Sequence, residues 1–259
     1  MKREEKYVAL VLVAVLLVVG FWQEYGQNGA SDRNAEKSQA FAEREERSNE
    51  ESTNSWTVES SKADIENETK VDLGQIVLVG DSRTQGLQLG ADVTTADFLA
   101  ERGFRVDQVM DEAIFTLQDG SYGTAFDVIA ENSYGHVILM FGLNELGWAY
   151  GDIFIDEYRA VVKELKAIQP EIKICIHGIL PVTAARAAEG DEFNNERIQT
   201  RNALLKQLAE EEECSYIAPA AVLCDETGAL AAEATTDGIH LTSEYCQLWM
   251  DEIIKQMVA

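Results

Sequence analysis

Three residues stand where they could share one reaction. Ser82 directly follows the run Ile76-Val77-Leu78-Val79-Gly80-Asp81, and Asp237 lies three residues before His240 in Thr236-Asp237-Gly238-Ile239-His240-Leu241. A hydroxyl is a weak nucleophile until a base takes its proton, and an imidazole serves best when a carboxylate holds its second ring nitrogen. Asp237 and His240 leave one glycine-containing loop, so the carboxylate can fix the tautomer and leave the other nitrogen to face a serine. Plainer readings stand beside these. Gly80-Asp81-Ser82 also makes a good turn and helix N-cap, and Asp237 and His240 could simply close a loop before a helix. Of the three histidines, His136 opens a strand and His177 lies inside one, which leaves His240 as the one in a polar loop.

These residues need elements to position them. Residues 76–79 form a continuous apolar run of the kind buried on both faces of a parallel sheet, and ligands sit beyond the carboxyl ends of such strands. A helix over Thr84–Gly90 would point its N-terminus at the serine and favour negative charge there. A second strand is expected at 96–100, ending at Glu101-Arg102-Gly103, then a helix over 104–117 on the spacing of Val106, Val109, Met110, Ala113 and Leu117. A third strand at 136–141 is closed by Gly142-Leu143-Asn144-Glu145. An amphipathic helix over 153–168, a strand at 172–180, a long loop at 181–195, a helix at 196–213, a brief strand at 216–218 and a helix from Ser243 to about Val258 complete the chain. Alternating strands and helices argue for a parallel sheet covered on both faces. No phosphate-binding glycine loop and no metal-ligand spacing is present.

The formal net charge is −25, most of it in residues 71–259. Such a surface repels phosphate backbones, so nucleic acid is excluded as a partner, and an anionic polymer could bind only through a local exception. Neutral sugars and their esters meet no such barrier. The four cysteines lack paired metal or redox spacings and read as small buried hydrophobes, with room for one disulfide. Residues 1–22 carry Lys2, Arg3 and Lys6 ahead of an unbroken apolar run, which reads as a cytoplasmic tip and transmembrane anchor or, alternatively, a signal peptide; bulky Phe21-Trp22 argues against cleavage. Residues 23–70 are too polar to form a core and read as a disordered stalk. The catalytic unit, 71–259, would then lie outside the cytoplasm.

Read together, Gly80-Asp81-Ser82, Gly103, Gly142-Leu143-Asn144 and Asp237-Gly238-Ile239-His240-Leu241 resemble, in order and rough spacing, the SGNH/GDSL hydrolases. That resemblance spans the chain from about Gly74 to Ala259. It implies a flavodoxin-like three-layer α/β/α fold with a five-stranded parallel sheet and a serine acyl-hydrolase mechanism that uses no cofactor and no metal. It further implies Ser82 as nucleophile, His240 as base and Asp237 as its orienter, with the oxyanion held by the backbone N–H groups of Ser82 and Gly103 and by the Asn144 amide. Two departures mark this chain. Glu145 replaces the family's usual aspartate, and Arg83 follows the serine where an apolar residue is common; both are candidate substrate-binding residues, with Arg83 more simply expected to pair with Glu145 or another acid.

The expected function is an extracytoplasmic esterase removing short acyl groups, O-acetyl foremost, from a small acyl ester or an acylated glycan. Acyl transfer to a sugar, lipase or thioesterase action with the same serine, and a non-catalytic surface binding module are the alternatives.

Overall fold

The computed structural model describes residues 75–93 and 96–258. The membrane anchor or signal peptide expected at 1–22 and the stalk expected at 23–70 lie outside the described residues. Among those described, no helix is long and apolar enough to cross a membrane.

Five parallel strands form one sheet: β1 (Ile76–Gly80), β2 (Asp97–Ala100), β5 (His136–Met140), β6 (Lys173–His177) and β7 (Ser215–Ile217), in the order β2-β1-β5-β6-β7. Alternate side chains supply two separate cores, as a strand covered on both faces requires. Val77, Val79, Val137, Leu139, Ile174 and Ile176 enter one core, and Ile76, Leu78, Ile138, Met140 and Cys175 the other. The first is covered by α2 (Ala125–Glu131), α3 (Gly151–Ile168) and α5 (Asn195–Glu211), the second by α1 (Ser82–Gly90) and α6 (Ser243–Val258). The three-layer α/β/α expectation therefore holds. On α3, Phe154, Tyr158, Val161, Val162 and Leu165 recur at helical spacing and are all buried, and the Tyr158 hydroxyl donates to the Leu139 carbonyl of β5 (3.1 Å). Chain order reverses at β1, whose neighbours are β2 and β5, and ligands collect at such a switch point.

Residues 104–117 are not the expected helix. They contain a 3-10 turn at Val106–Gln108 and then β3 (Phe115–Thr116), which pairs with β4 (Tyr122–Gly123) as a hairpin. The Arg105 and Val106 N–H groups are held by the Gln108 (2.9 Å) and Glu145 (2.7 Å) side chains, which cap only this one turn, and the Asp111 and Glu112 N–H groups both return to the Gln108 carbonyl (3.1 and 2.9 Å) before the chain extends into β3. Val106 and Val109 still reach the core, so their spacing recorded burial rather than helix. Helix α2 was missed although Thr124 and Asp127 cap each other reciprocally at its start. Strand β6 ends at His177, before the expected Leu180, because the Ile179 and Val182 amides are taken by Asn202 and Asn195 of α5. A four-residue helix, α4 (Ala184–Ala187), interrupts the expected 181–195 loop. All four cysteines are free, so no disulfide forms.

Candidate active site

Ser82, His240 and Asp237 come together at the carboxyl edge of the sheet although 158 positions separate the serine from the histidine. Ser82 lies two residues beyond β1 and opens α1, while Asp81 turns the chain as the N-cap, its side chain accepting from the Arg83 N–H (2.9 Å). Ser82 Oγ is 3.0 Å from His240 Nε2, and His240 Nδ1 is 2.7 Å from Asp237 Oδ2. With Nδ1–H donating to Asp237, Nε2 is free to accept the serine proton.

The loop that carries Asp237 and His240 is built around the aspartate. Asp237 Oδ1 accepts from the N–H groups of Ile239 (2.9 Å) and His240 (2.8 Å), and Thr235 Oγ1 bonds Asp237 Oδ1 (3.1 Å) and accepts from the Gly238 N–H (3.1 Å). Burial alone would push the Asp237 carboxyl up, but the N–H and ring donors of His240 and the Ile239 N–H hold it well below the usual carboxylate range. It therefore stays ionised throughout the working pH range. Gly238 has φ +83°, and a Cβ there would come within 2.7 Å of Arg186. Only glycine fits that turn.

Arg83 does not form the expected pair with an acid. It is 6% exposed and forms no ion pair with Glu145 or any other acid among the described residues. Its guanidinium instead donates to three carbonyls: Ile239 (2.9 Å), Leu180 (2.6 Å) and Pro181 (3.0 Å). Burial lowers its pKa to about 10, and Asp81 and Asp237 counter part of that fall, so it remains a cation at neutral pH. It ties the start of α1 to the exit of β6 and to the residue before His240. Because backbone carbonyls leave no trace in side-chain composition, the sequence pointed to acids.

Glu145 is likewise no surface ligand. It is fully buried, with Oε1 accepting the Val106 N–H (2.7 Å) and Oε2 lacking a hydrogen-bond partner among the described residues. Burial pushes its pKa up to about 7, the Val106 N–H opposing and the Asp81 charge assisting. Its neighbour Asn144 is partly exposed, and its amide donates to the Phe104 carbonyl (3.0 Å), which fixes the side chain at the loop following β2. Gly103 occupies that loop with φ +76° inside a turn closed by the Phe104 N–H and the Glu101 carbonyl (3.1 Å). The loop lies beside the serine because the Glu101 N–H bonds the Gly80 carbonyl (3.3 Å). Thr235, which sequence reading passed over, was signalled by its place two residues before the aspartate, where a hydroxyl commonly caps a turn.

His177 is a core residue, as its position inside a strand suggested. Its Nδ1–H donates to the Gly178 carbonyl (2.6 Å), its Nε2 accepts from the Trp249 indole (3.0 Å), and burial lowers its pKa to about 4. Asp237 and His240 are by contrast open to solvent, with side chains 52% and 43% exposed.

The pattern of the GDSL-like lipase/acylhydrolase family matches residues 78–248, more than half of the chain. Among solved structures, a platelet activating factor protein from Streptococcus pneumonia superposes with TM-score 0.58 at 22% identity, covering 74% of this chain and 86% of that one. A GDSL-like lipase from Bacteroides thetaiotaomicron gives TM-score 0.56 at 20% identity, covering 73% and 89%. A carbohydrate esterase family 3 protein from Talaromyces cellulolyticus gives TM-score 0.50 at 14% identity, covering 71% and 97%. At these identities the three speak to the fold. No curated protein matches the chain.

Proposed function

Since this chain belongs to the GDSL-like lipase/acylhydrolase family and is thus an ester-hydrolysing serine hydrolase, we propose that it removes short acyl groups, O-acetyl foremost, from a carbohydrate or cell-envelope glycan outside the cytoplasm. The observation that carries the chemistry is the unbroken relay from Ser82 Oγ through His240 to Asp237, at 3.0 and 2.7 Å. Ser82 attacks the ester carbonyl as His240 Nε2 takes its proton, and Asp237 stabilises the imidazolium. The tetrahedral oxyanion is held by the Ser82 and Gly103 N–H groups and by the amide N–H of Asn144 that Phe104 leaves free. His240 then protonates the departing sugar hydroxyl, and a water activated by the same imidazole releases the acid.

Supporting a polar, bulky substrate is the openness of the site, since Asp237 and His240 are about half exposed where a long-chain lipase would bury its acyl group. A carbohydrate esterase among the fold neighbours agrees with that class. The apolar run in residues 1–22 supports an address outside the cytoplasm, with the chain held at the membrane. An acyl-release screen of the full chain on acetylated glycans, run with a chain-length series of aryl esters, tests the proposal. Acetate release from a glycan with activity falling beyond short acyl chains is expected; preference for long chains and no release from any glycan would contradict it.

A further inference from the structure

One pair of arginines stands apart from the protein's other charges. Arg197 and Arg201 lie one turn apart on α5, and among the described residues neither forms an ion pair. Like charges four apart on a helix repel. In a chain with 46 acidic and 21 basic residues, two adjacent guanidiniums without a carboxylate require a reason. Each has a single hydrogen bond: Arg197 Nη1 to the Leu146 carbonyl (2.8 Å) and Arg201 Nη2 to the Trp148 carbonyl (3.1 Å). Arg201 is only 5% exposed, with its guanidinium 5.4 Å from the centre of the Phe154 ring. Burial, and next the charge of Arg197, lowers its pKa; the carboxylates of Glu145 and Asp152 oppose this without touching it.

Both arginines line an open cleft of about 640 Å³, together with Trp148, Gly151, Asn194 and Thr200, and Glu196 is the acid on its wall. That volume is of the size that holds a small ligand. Gly151 leaves the room Arg201 occupies, since a Cβ there would lie 2.4 Å from Arg201 Nη1. In the chain, the segment from Asn144 to Gly151 joins the active-site asparagine to the cleft wall. The amino end of α5 meets the same carboxyl edge of the sheet, through the bonds of Asn195 and Asn202 to Val182 and Ile179.

We propose that this cleft binds an anionic group of the substrate, a sugar carboxylate or a phosphate or sulfate substituent, on a glycan whose ester lies at Ser82. The inference deepens the proposed function and rests on it for the location of the ester. Guanidinium groups bind such oxyanions through paired N–H donors, and a nearly buried arginine that already has one anchor loses little freedom in doing so. Asn194 and Thr200 supply amide and hydroxyl groups for sugar hydroxyls, and Trp148 supplies an aromatic surface. The cleft is the local exception through which a strongly acidic protein can hold an acidic polymer.

The test is direct binding, read apart from hydrolysis. The full chain is titrated calorimetrically with an unesterified hexuronic acid oligomer, a phosphorylated oligosaccharide and a neutral xylo-oligosaccharide. Saturable binding of one or both anionic oligomers is expected, weakening with salt, at least tenfold tighter than the neutral one and at least tenfold weaker in Arg197→Gln and Arg201→Met. Which anionic oligomer binds identifies the group. The fold of Arg201→Met is checked by its melting curve, while exposed Arg197 makes Arg197→Gln a fair test even if the buried substitution unfolds. No saturable binding, equal affinity for the neutral oligomer, or unchanged affinity in Arg197→Gln overturns the proposal. Loss of binding with aryl acetate hydrolysis intact in the unsubstituted chain would refute the cleft and leave the esterase reading untouched, whereas binding without hydrolysis would do the reverse.

Discussion

Arg83 and the pair Arg197 and Arg201 are the same side chain in opposite uses. Three carbonyls take three of the five Arg83 donors, one from each guanidinium nitrogen, so the charge fastens α1, the exit of β6 and the His240 loop to one another. Arg197 and Arg201 each have one carbonyl and face a cleft with donors to spare. Burial does not distinguish them, since Arg83 is 6% and Arg201 5% exposed. What separates a structural arginine from a binding one is how many of its donors the fold has already used.

The comparison breaks first at Arg83. Arg83→Met strands three carbonyls in the interior, and a loss of about 3–5 kcal/mol of stability is expected in denaturant titration, with kcat lowered at least tenfold where the protein stays folded, because His240 loses its tether. Arg83→Lys keeps the charge but not the fork and should fall between. A melting temperature unmoved by either substitution would end the clamp account.

Next comes the site that Arg83 supports. Asn144→Ala should lower kcat on an aryl acetate by about 10²–10³-fold, or about 3–4 kcal/mol of transition-state stabilisation, with KM nearly unchanged. An effect on KM alone would move Asn144 from the oxyanion to ground-state binding.

Two buried titratable groups give a subtler expectation. The Glu145 pKa is raised to about 7 in the folded protein, so folding favours its protonated form and stability falls as pH rises from about 4.5 to 7. The His177 pKa is lowered to about 4, so folding favours its neutral form and stability falls as pH drops from about 6.5 to 4. The two slopes oppose each other in their shared window. Glu145→Gln should therefore leave stability near pH 4 little changed, add about 3 kcal/mol near pH 8, and uncover a stability that rises with pH between 4.5 and 6.5. A Glu145→Gln profile parallel to the parent's would show that the carboxyl is ionised in the fold.

Arg197→Gln carries the smallest effect on stability, within about 0.5 kcal/mol, because its side chain is exposed and gives up one carbonyl bond. Set beside Arg83→Met, it measures the difference between the two uses of arginine.

Much of this architecture could be read from the chain. Strands β1 and β5 are apolar without interruption because the sheet is covered on both faces, and Asp237 and His240 are close enough in sequence for one loop to present both. What escaped depended on partners that sequence does not display. Helical spacing at Val106 and Val109 suited a core-lining loop just as well, because both side chains reach the core without a continuous helix. Arg83 was matched with acids because its carbonyl partners belong to every residue alike, and the burial of Glu145 follows from how the loops after β2 and β5 meet. Arg197 and Arg201 belong to no motif, and it is the cleft that shows they share a face.

The central claim is that Ser82 is the nucleophile of this hydrolase, and it is tested most directly by the full chain and its Ser82→Ala variant on an aryl acetate, with a fluorophosphonate probe mapped by mass spectrometry. The account predicts a single adduct on Ser82 and a fall in kcat of at least about 10⁴-fold in the variant. Equal turnover by the variant, or an adduct on another residue with Ser82 unmodified, would contradict it.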